Sequence, residues 1–251
     1  MNDFSNPIFH NETKARKWLE ARLWPDGPIC PHCGVIGEAT LMKGKSHRPG
    51  LYQCNSKGCR KPFSVTVGTL YERSKVPLHK WLAATHLMMA SKKGMSALQI
   101  GRMLDLSRKT AWFVCHRIRE SLRETKPVPI GGRNKVIEAD ETFVGGKSKN
   151  RKNHVPPKEA VIALVEREGK VRSFHVQAIS AKTLRPILFT TASRKSYLMT
   201  DESATYTSIG RGFAGHGTVN HSIQEYVRGG FWHTNTVENY FSILKRGITG
   251  V

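Results

Sequence analysis

The chain of 251 residues carries 40 lysines and arginines against 19 acidic residues, so its formal net charge is +21. This excess favours nucleic acid as a partner, although a generally solvated basic surface is the simpler alternative. No run of about 18 apolar residues predicts a membrane span, and the first residues show no secretion signal, so we expect a cytoplasmic protein that does not act on membranes.

Composition divides the chain into three predicted domains. Residues 1–75 hold four of the five cysteines, residues 76–125 show a helical period, and residues 135–251 alternate strand-like and helical stretches. Residues 125–132 contain two prolines and two glycines, which is typical of a linker. The pattern predicts a multi-domain α/β protein whose last domain is a mixed sheet covered by helices.

Two pairs of cysteines stand at metal-ligand spacing. Two residues separate Cys30 from Cys33, four separate Cys54 from Cys59, and 20 residues lie between the pairs. Four thiolates bind Zn²⁺ tetrahedrally and leave no open position, so we predict a structural zinc ribbon with an accompanying N-terminal helix. Strands are expected over residues 51–53 and 62–67. Two unrelated buried thiols, or ligation by a nearby histidine, are the alternatives.

The middle domain predicts a helix-turn-helix. Ser96 and Ser107 are expected N-caps of two helices that a three-residue turn joins. The second helix passes through Trp112, Val114 and Ile118, its apolar positions.

This second helix is basic at its start. A recognition helix places its N-terminal residues against base edges in the major groove of DNA, and Arg108, Lys109 and Thr110 occupy that end. Arg117 follows on the same helix. A helical hairpin whose charges face water is the alternative, but the net charge favours double-stranded DNA as the partner of these four residues.

Three acidic residues of the last domain fall at the ends of predicted elements. Asp140 ends a strand that starts at Lys135, Asp201 ends another, and Glu238 lies in the first turn of the last helix. Phosphodiester cleavage is stabilised by two Mg²⁺ ions about 4 Å apart, which carboxylates hold well. Lys245 follows Glu238 by two helical turns on the same face and could contact a phosphate.

Each of these acids could instead have a role that does not involve a metal. Asp140 could be a solvated strand end, Asp201 could cap the segment after it, and Glu238 could form a capping box with Asn235. The neighbouring acids at positions 141 and 202 could be ligands or surface residues. A basic run after the first acid is either a solvated loop or a contact to the DNA backbone, made by Lys147, Lys149, Arg151 and Lys152.

Several stretches together resemble one known family. They are Trp24–Pro28 with Cys30–Gly34, Phe63–Thr69, Glu138–Lys147, Thr200–Ser203 and His233–Gly247. The chain is similar in them to bacterial insertion-sequence transposases of the DDE class with an N-terminal zinc ribbon.

The resemblance implies an RNase H-like catalytic fold that nicks element ends with two Mg²⁺ or Mn²⁺ ions and joins the freed 3′-hydroxyl to target DNA. It implies that Asp140, Asp201 and Glu238 are the catalytic, metal-binding acids and that Lys245 is the accompanying base. Asn235 is a lesser candidate, because some members place Asn where the third acid stands. A homo-oligomer on DNA is expected, because two ends must be paired.

Two rival functions stay open at this point. Family members usually continue past the stretch around Gly250, so we expect a truncated chain, which could be a DNA-binding remnant or regulator without catalysis. A nuclease of the same fold would cut DNA without joining it.

Overall fold

The computed structural model describes residues 3–92, 94–145, 157–219, 231 and 233–249. The chain forms two compact units, the first up to residue 123 and the second from residue 124. None of the described helices combines the length and apolarity that crossing a bilayer requires.

The first unit consists of helices around a small sheet. After a 3-10 turn at Pro7–Phe9, its helices are α1 (Glu12–Leu23), α2 (Leu78–Ala90), α3 (Ala97–Met103) and α4 (Arg108–Ser121). Its strands pair antiparallel in chain order and are β1 (Ala39–Leu41), β2 (Tyr52–Cys54) and β3 (Pro62–Phe63).

The strand predicted over residues 62–67 is wrong beyond Phe63. The N–H of Val67 donates to the carbonyl of Ser64, and the Thr69 hydroxyl donates to the carbonyl of Thr66. These local hydrogen bonds turn the chain, since Ser and Thr side chains offer the backbone an alternative to a ladder.

One hydrophobic cluster joins most of the first unit. It contains Leu19 of α1, Val65 after the ribbon, Trp81 of α2 and Ile118 of α4, all of them buried. The segment around the ribbon and the helices of the middle segment therefore share a core, which fixes α3 and α4 on a common support. The domain boundary near residue 75 stays a prediction.

The helix-turn-helix prediction is confirmed in its capping and turn. The side chain of Ser96 accepts from the N–H of Gln99, and that of Ser107 accepts from the N–H of Thr110. Asp105, in the turn between α3 and α4, has a left-handed φ of 49°.

The apolar face predicted for the second helix is wrong at one position. Trp112 is 58% exposed, whereas Ala111, Val114 and Ile118 are buried. Spacings of three and four residues from Ala111 define the buried face, and Trp112 falls about 100° away from Ala111 around the helix.

The second unit is built on a five-stranded mixed sheet. Its strands are β4 (Val136–Val144), β5 (Glu159–Glu166), β6 (Val171–Val176), β7 (Tyr197–Asp201) and β8 (Gly215–Val219), and its helices are α5 (Ala181–Thr191), α6 (Ala204–Gly210) and α7 (Asn235–Thr249). The strand order is β6-β5-β4-β7-β8, with β5 antiparallel to both neighbours and β7 parallel to both. This mixed sheet with its helices confirms the α/β class that we predicted.

Helices cover both faces of this sheet. Consecutive residues of β5 alternate between two clusters, because side chains of a strand point to opposite faces. Ile162 packs with Leu184 of α5 and Ile209 of α6, whereas Ala163 packs with Val237 of α7. The apolar run 160–165 is thus buried on both faces, which explains why its residues do not alternate between apolar and polar.

Two predicted boundaries in this unit are wrong. The first strand does not end at Asp140 but continues to Val144, because its antiparallel ladder with β5 extends to the pair of Val144 and Glu159. The predicted linker ends earlier than expected, since Ile130 is buried and forms a bridge with Ala192. Helix α6 had no counterpart in the sequence prediction.

Candidate active site and metal centre

The four predicted zinc ligands come together in the first unit. All their Sγ atoms lie within 4.8 Å of one another, with Cys30 and Cys59 3.8 Å apart and Cys33 and Cys54 3.7 Å apart. Four sulfurs at 2.3 Å from a tetrahedral Zn²⁺ are separated by about 3.8 Å. The donor set and its spacing therefore fit a structural zinc ion.

Local backbone geometry produces this arrangement. Backbone N–H groups of His32 and Cys33 point at the Cys30 sulfur, which stabilises a thiolate there. Gly34 turns the first knuckle with a left-handed φ of 77°, and Arg60 does the same after the second with 53°. Beneath the knuckles lies a cluster of stacked and edge-on rings, formed by Trp24, Tyr52 and Phe63.

In the second unit, two predicted acids lie on adjacent parallel strands. The ladder between β4 and β7 ends at the pair of Glu138 and Met199, two residues before Asp140 and Asp201 respectively. Because side chains alternate with a period of two, both carboxylates lie on the sheet face of that last pair. The strands part here, at the carboxyl end of a parallel pair, where open α/β sheets offer a crevice to ligands.

The third predicted acid lies in the first turn of α7, on the sheet face of Asp140. The Thr234 hydroxyl donates to Glu238 Oε1 over 3.0 Å, and the N–H of Glu238 donates to the carbonyl of Thr234. Since Asn235 already belongs to the helix, the capping box proposed for Asn235 and Glu238 is not formed. Asp201 does make the local contact we considered, because its Oδ1 accepts from the N–H of Ser203.

The acids influence one another electrostatically. Burial raises the pKa of Asp140 to about 7, although the N–H of Glu141 donates to its Oδ1 over 2.7 Å and opposes the shift. The negative charges of Glu141, Asp201 and Glu238 contribute to the same rise in pKa. Repulsion of this kind is typical of carboxylates gathered for a cation, which would relieve it.

Glu141 follows Asp140 but serves a different contact. It accepts a hydrogen bond of 2.5 Å from the hydroxyl of buried Tyr206 in α6, on the opposite face of the sheet. Burial raises the pKa of Glu141, and the negative charge of Asp201 adds to the shift. Glu141 thus contributes charge to the site while its carboxylate is engaged by α6.

Sequence reasoning missed a buried carboxylate beside these acids. Glu138 has no exposed surface, and it accepts hydrogen bonds from Arg167 Nε and from the N–H groups of Thr236 and Val237. His233 Nδ1 lies 3.3 Å from Glu138 Oε1 without the alignment of a hydrogen bond. A charged residue inside an apolar strand was the available signal, because buried charges require partners.

The predicted cations of the site are only partly described. Lys245 lies exposed on α7, seven residues after Glu238. The basic run that we expected to contact DNA, with Lys147, Lys149, Arg151 and Lys152, lies outside the described residues.

The predicted DNA-contact residues of α4 differ in their environments. Arg108 and Lys109 are exposed, whereas the hydroxyl of Thr110 pairs with that of Ser107 over 2.8 Å. Arg117 donates to the carbonyl of Glu72 over 3.1 Å and lies over the rings of Trp81 and Phe113, both within the first unit. Its role toward DNA stays a prediction.

Two exposed aromatic rings stand beside the basic start of α4. Trp112 and Phe113 are 58% and 46% exposed, and they line one shallow depression together with Arg108 and Lys109. Sequence reasoning missed this pairing because it assigned Trp112 to the core.

Comparison with known families matches most of the chain in two parts. Residues 131–251 match the model described as the ISXO2-like transposase domain, and residues 10–62 match the transposase zinc-ribbon domain. The chain is 26% identical over 259 aligned positions to the uncharacterized protein in transposable element ISH50 of Halobacterium salinarum (strain ATCC 700922 / JCM 11081 / NRC-1). That alignment covers 96% of this chain and 84% of the relative.

Two solved structures also show a limited likeness. The Mos1 strand transfer complex is 13% identical with a TM-score of 0.20, and the match covers 50% of this chain and 52% of that chain. The pre-cleavage Mos1 transpososome is 10% identical with a TM-score of 0.22, over 67% of this chain and 74% of that chain. The chain thus spans about half the length of the strand transfer protein that it matches.

Proposed function

The chain belongs to the insertion-sequence transposases with an N-terminal zinc ribbon, and we propose that it binds element ends and catalyses metal-dependent cleavage and strand transfer of DNA. The observation that carries this proposal is the convergence of three acids from separate elements. Asp140, Asp201 and Glu238 interact electrostatically beside the point where two parallel strands part.

These residues have the chemistry that phosphodiester cleavage needs. The carboxylates of Asp140, Asp201 and Glu238 offer hard oxygen ligands, and two Mg²⁺ or Mn²⁺ ions bound there would stabilise the attacking and leaving oxygens. In this proposal Lys245 binds a phosphate of the DNA strand and holds it next to the acids. Asn235, inside the same helix turn, is a lesser candidate for the third ligand.

The first unit serves DNA recognition in this proposal. Arg108, Lys109, Thr110 and Arg117 contact the element end, and the exposed rings of Trp112 and Phe113 support that role for α4. Arginine and lysine side chains neutralise phosphates, while apolar side chains can contact thymine methyl groups in the major groove. Zinc holds the ribbon, and the basic run starting at Lys147 binds the DNA backbone near the acids. The protein works in the cytoplasm as a homo-oligomer, since two ends are paired.

The test incubates the purified protein with Mn²⁺ and DNA carrying the flanking sequences of its own gene, and then maps 3′-hydroxyl ends and joined products. Asp140→Ala and Asp201→Ala should abolish cleavage, by about 10³-fold or more, and keep DNA binding, because carboxylate ligands are lost while α4 is untouched. Glu159→Gln, an exposed acid of the same sheet, is the matched control and should cut normally.

The outcomes separate the candidate functions. Undiminished cleavage by Asp140→Ala would overturn the catalytic assignment. Specific DNA retention without any cut by the wild-type protein would favour a remnant or regulator, and defined cuts without joined products would favour a nuclease.

A further inference from the structure

The carboxylate of Glu138 lies inside the second unit. It has no exposed surface, and burying a carboxylate is costly unless hydrogen bonds and an opposite charge compensate. Glu138 Oε1 accepts from Arg167 Nε over 2.6 Å and from the Thr236 hydroxyl over 3.0 Å. The other carboxylate oxygen, Oε2, also accepts two hydrogen bonds, so both oxygens of Glu138 have partners.

That other oxygen caps helix α7. Glu138 Oε2 accepts from the N–H of Thr236 over 2.8 Å and from the N–H of Val237 over 3.1 Å. These are the second and third residues of α7, whose N–H groups have no partner within the helix. A negative charge at a helix N-terminus is also favoured by the helix dipole. Glu138 thus acts as an N-cap that is supplied from strand β4, 98 residues earlier.

Arg167 secures the chain immediately before this helix. It follows β5 and, besides binding Glu138, donates to the carbonyls of Phe231 and His233 over 2.8 and 3.0 Å. Its guanidinium also lies over the Phe231 ring at 5.5 Å. The pair of buried Glu138 and half-buried Arg167 therefore fixes both the approach to α7 and its first turn.

The position of this anchor gives it a consequence for the active site. Glu138 precedes Asp140 by two residues on the same face of β4, and Val237 directly precedes Glu238. We propose that Glu138 is a positioning residue, which fixes the helix of the third acid against the strand of the first. The inference rests on the proposed function, because it gives Asp140 and Glu238 their meaning as ligands.

A purely structural role for the pair is the rival explanation. In that case loss of Glu138 would lower stability, but each folded molecule would bind metal as before. Partners of metal ligands instead alter metal affinity, commonly by about 10–100-fold. The two explanations therefore differ in the metal dependence of the folded protein.

The test replaces Glu138 by Gln, which keeps its size and one acceptor oxygen but removes the charge. Without added Mg²⁺ or Mn²⁺, and with the zinc retained, hydrogen exchange should become about 10-fold faster at the amides of Thr236 and Val237. The Mn²⁺ concentration for half-maximal DNA cleavage should rise by about 10-fold or more, with activity partly restored at high Mn²⁺. Glu166→Gln is the matched control, since this acid of β5 accepts from the N–H of Gly131 over 3.1 Å.

A milder variant keeps the inference testable if Glu138→Gln does not fold. Thr236→Val removes only the hydroxyl that donates to Glu138 Oε1, so it should raise the required Mn²⁺ by about 2–3-fold. Unchanged Mn²⁺ dependence in both variants would overturn the inference, even if stability falls. So would unchanged exchange at the two amides in Glu138→Gln.

The inference and the proposed function fail in different ways. If the wild-type protein does not cut DNA, the proposed function fails, and Mn²⁺ binding measured directly by electron paramagnetic resonance replaces cleavage as the readout. Weaker binding in Glu138→Gln than in the wild type would then still support the inference. Equal binding in both, or no binding by the wild type, would overturn it.

Discussion

The cysteine site of the first unit and the carboxylate site of the second are assembled in different ways. Each cysteine knuckle comes from one local turn, and the sulfurs already lie at the separation of a tetrahedral zinc site. The acids come from two strands and a helix, with 60 residues between Asp140 and Asp201 and another 36 before Glu238. Within the described residues, the cysteines form a close ligand cluster and the acids do not.

This difference shows which ligands depend on local geometry and which on the whole fold. Around the cysteines the core is small, so the ion itself supplies much of the folding free energy. Around the acids the sheet and its helices hold the backbone first, and the charges are gathered against their mutual repulsion. Zinc should therefore be needed for folding, whereas the cation that we propose at the acids should be needed for chemistry and not for folding.

The largest effect is expected from a change at the cysteine site. Cys30→Ser removes one of four thiolates and should release zinc and unfold the ribbon, because structural zinc commonly contributes about 10 kcal/mol or more. Zinc content by atomic absorption and fluorescence of Trp24, which packs on Tyr52 and Phe63, measure both changes. DNA binding should weaken as well. Cys115→Ser, at a buried thiol of α4, is the control that should keep its zinc, and undiminished zinc in Cys30→Ser would refute the site.

A smaller effect is expected at the acids, where the stability of the fold should depend on pH. The pKa of Asp140 is raised to about 7 from its ordinary value near 4, so between these pH values the folded state holds a proton that the unfolded state releases. Its contribution to stability is present below pH 4 and is lost as the pH rises to about 7.

Asp140→Asn removes this titration in protein without a cation at the acids. The variant should gain melting temperature relative to the wild type as the pH rises from 4 to 7, by about 5–15 °C at pH 7, because the raised pKa costs about 4 kcal/mol there. Thermal unfolding across this range, in buffer without added Mg²⁺ or Mn²⁺ and with the zinc retained, measures the difference. Asn also cannot bind a cation as a carboxylate does, so added Mn²⁺ should stabilise the wild type more than the variant. A difference that does not depend on pH would contradict the electrostatic interpretation.

A third prediction compares two kinds of contact on α4. Arg108→Ala should weaken DNA binding by about 3–10-fold and reduce the slope of affinity against salt by about one, because it removes a positive charge from the proposed DNA interface. Trp112→Ala should weaken binding to the cognate end with little change in that slope, since the ring carries no charge. Binding titrations at several salt concentrations measure both. Equal affinity of Trp112→Ala and wild type would remove the ring from the interface.

The smallest effect is expected at an exposed ion pair that belongs to neither site. Arg123 and Glu120 form an ion pair of 3.5 Å at the end of the first unit, and their side chains are 77% and 72% exposed. Arg123→Ala should change the free energy of unfolding by about 0.5 kcal/mol or less, because solvent screens such pairs. Denaturant titration checks this value. A loss above about 1 kcal/mol would show that surface charge matters more here than at either site.

Local sequence signals predicted much of both units. The cysteine spacing led directly to a cluster of thiols, and the serines before α3 and α4 cap these helices as expected. The Ser180 cap of α5 is a local feature of the same kind, since its side chain accepts from the N–H of Thr183. Such features depend on interactions within a few residues, which a pattern can report.

Other features required the neighbours in space. Residues 130–134 had no strand pattern, yet Ile130 is buried by its bridge to Ala192. Trp112 satisfies a helical period as well as its neighbours do, and only the packing of α2 and α4 decides that Val114 turns inward. The capping box at Asn235 failed because Glu138 supplies the cap of α7 from another strand.

The sequence by itself determined the ligand types, the serine caps of α3 and α4 and most of the strands and helices, because each depends on residues close along the chain. Only the tertiary structure decided that Asp140 and Asp201 share a sheet face where two strands part, and that Glu138 joins this strand to α7. Register and long-range hydrogen bonds pair residues up to 99 positions apart, and they form only when the chain buries its apolar faces.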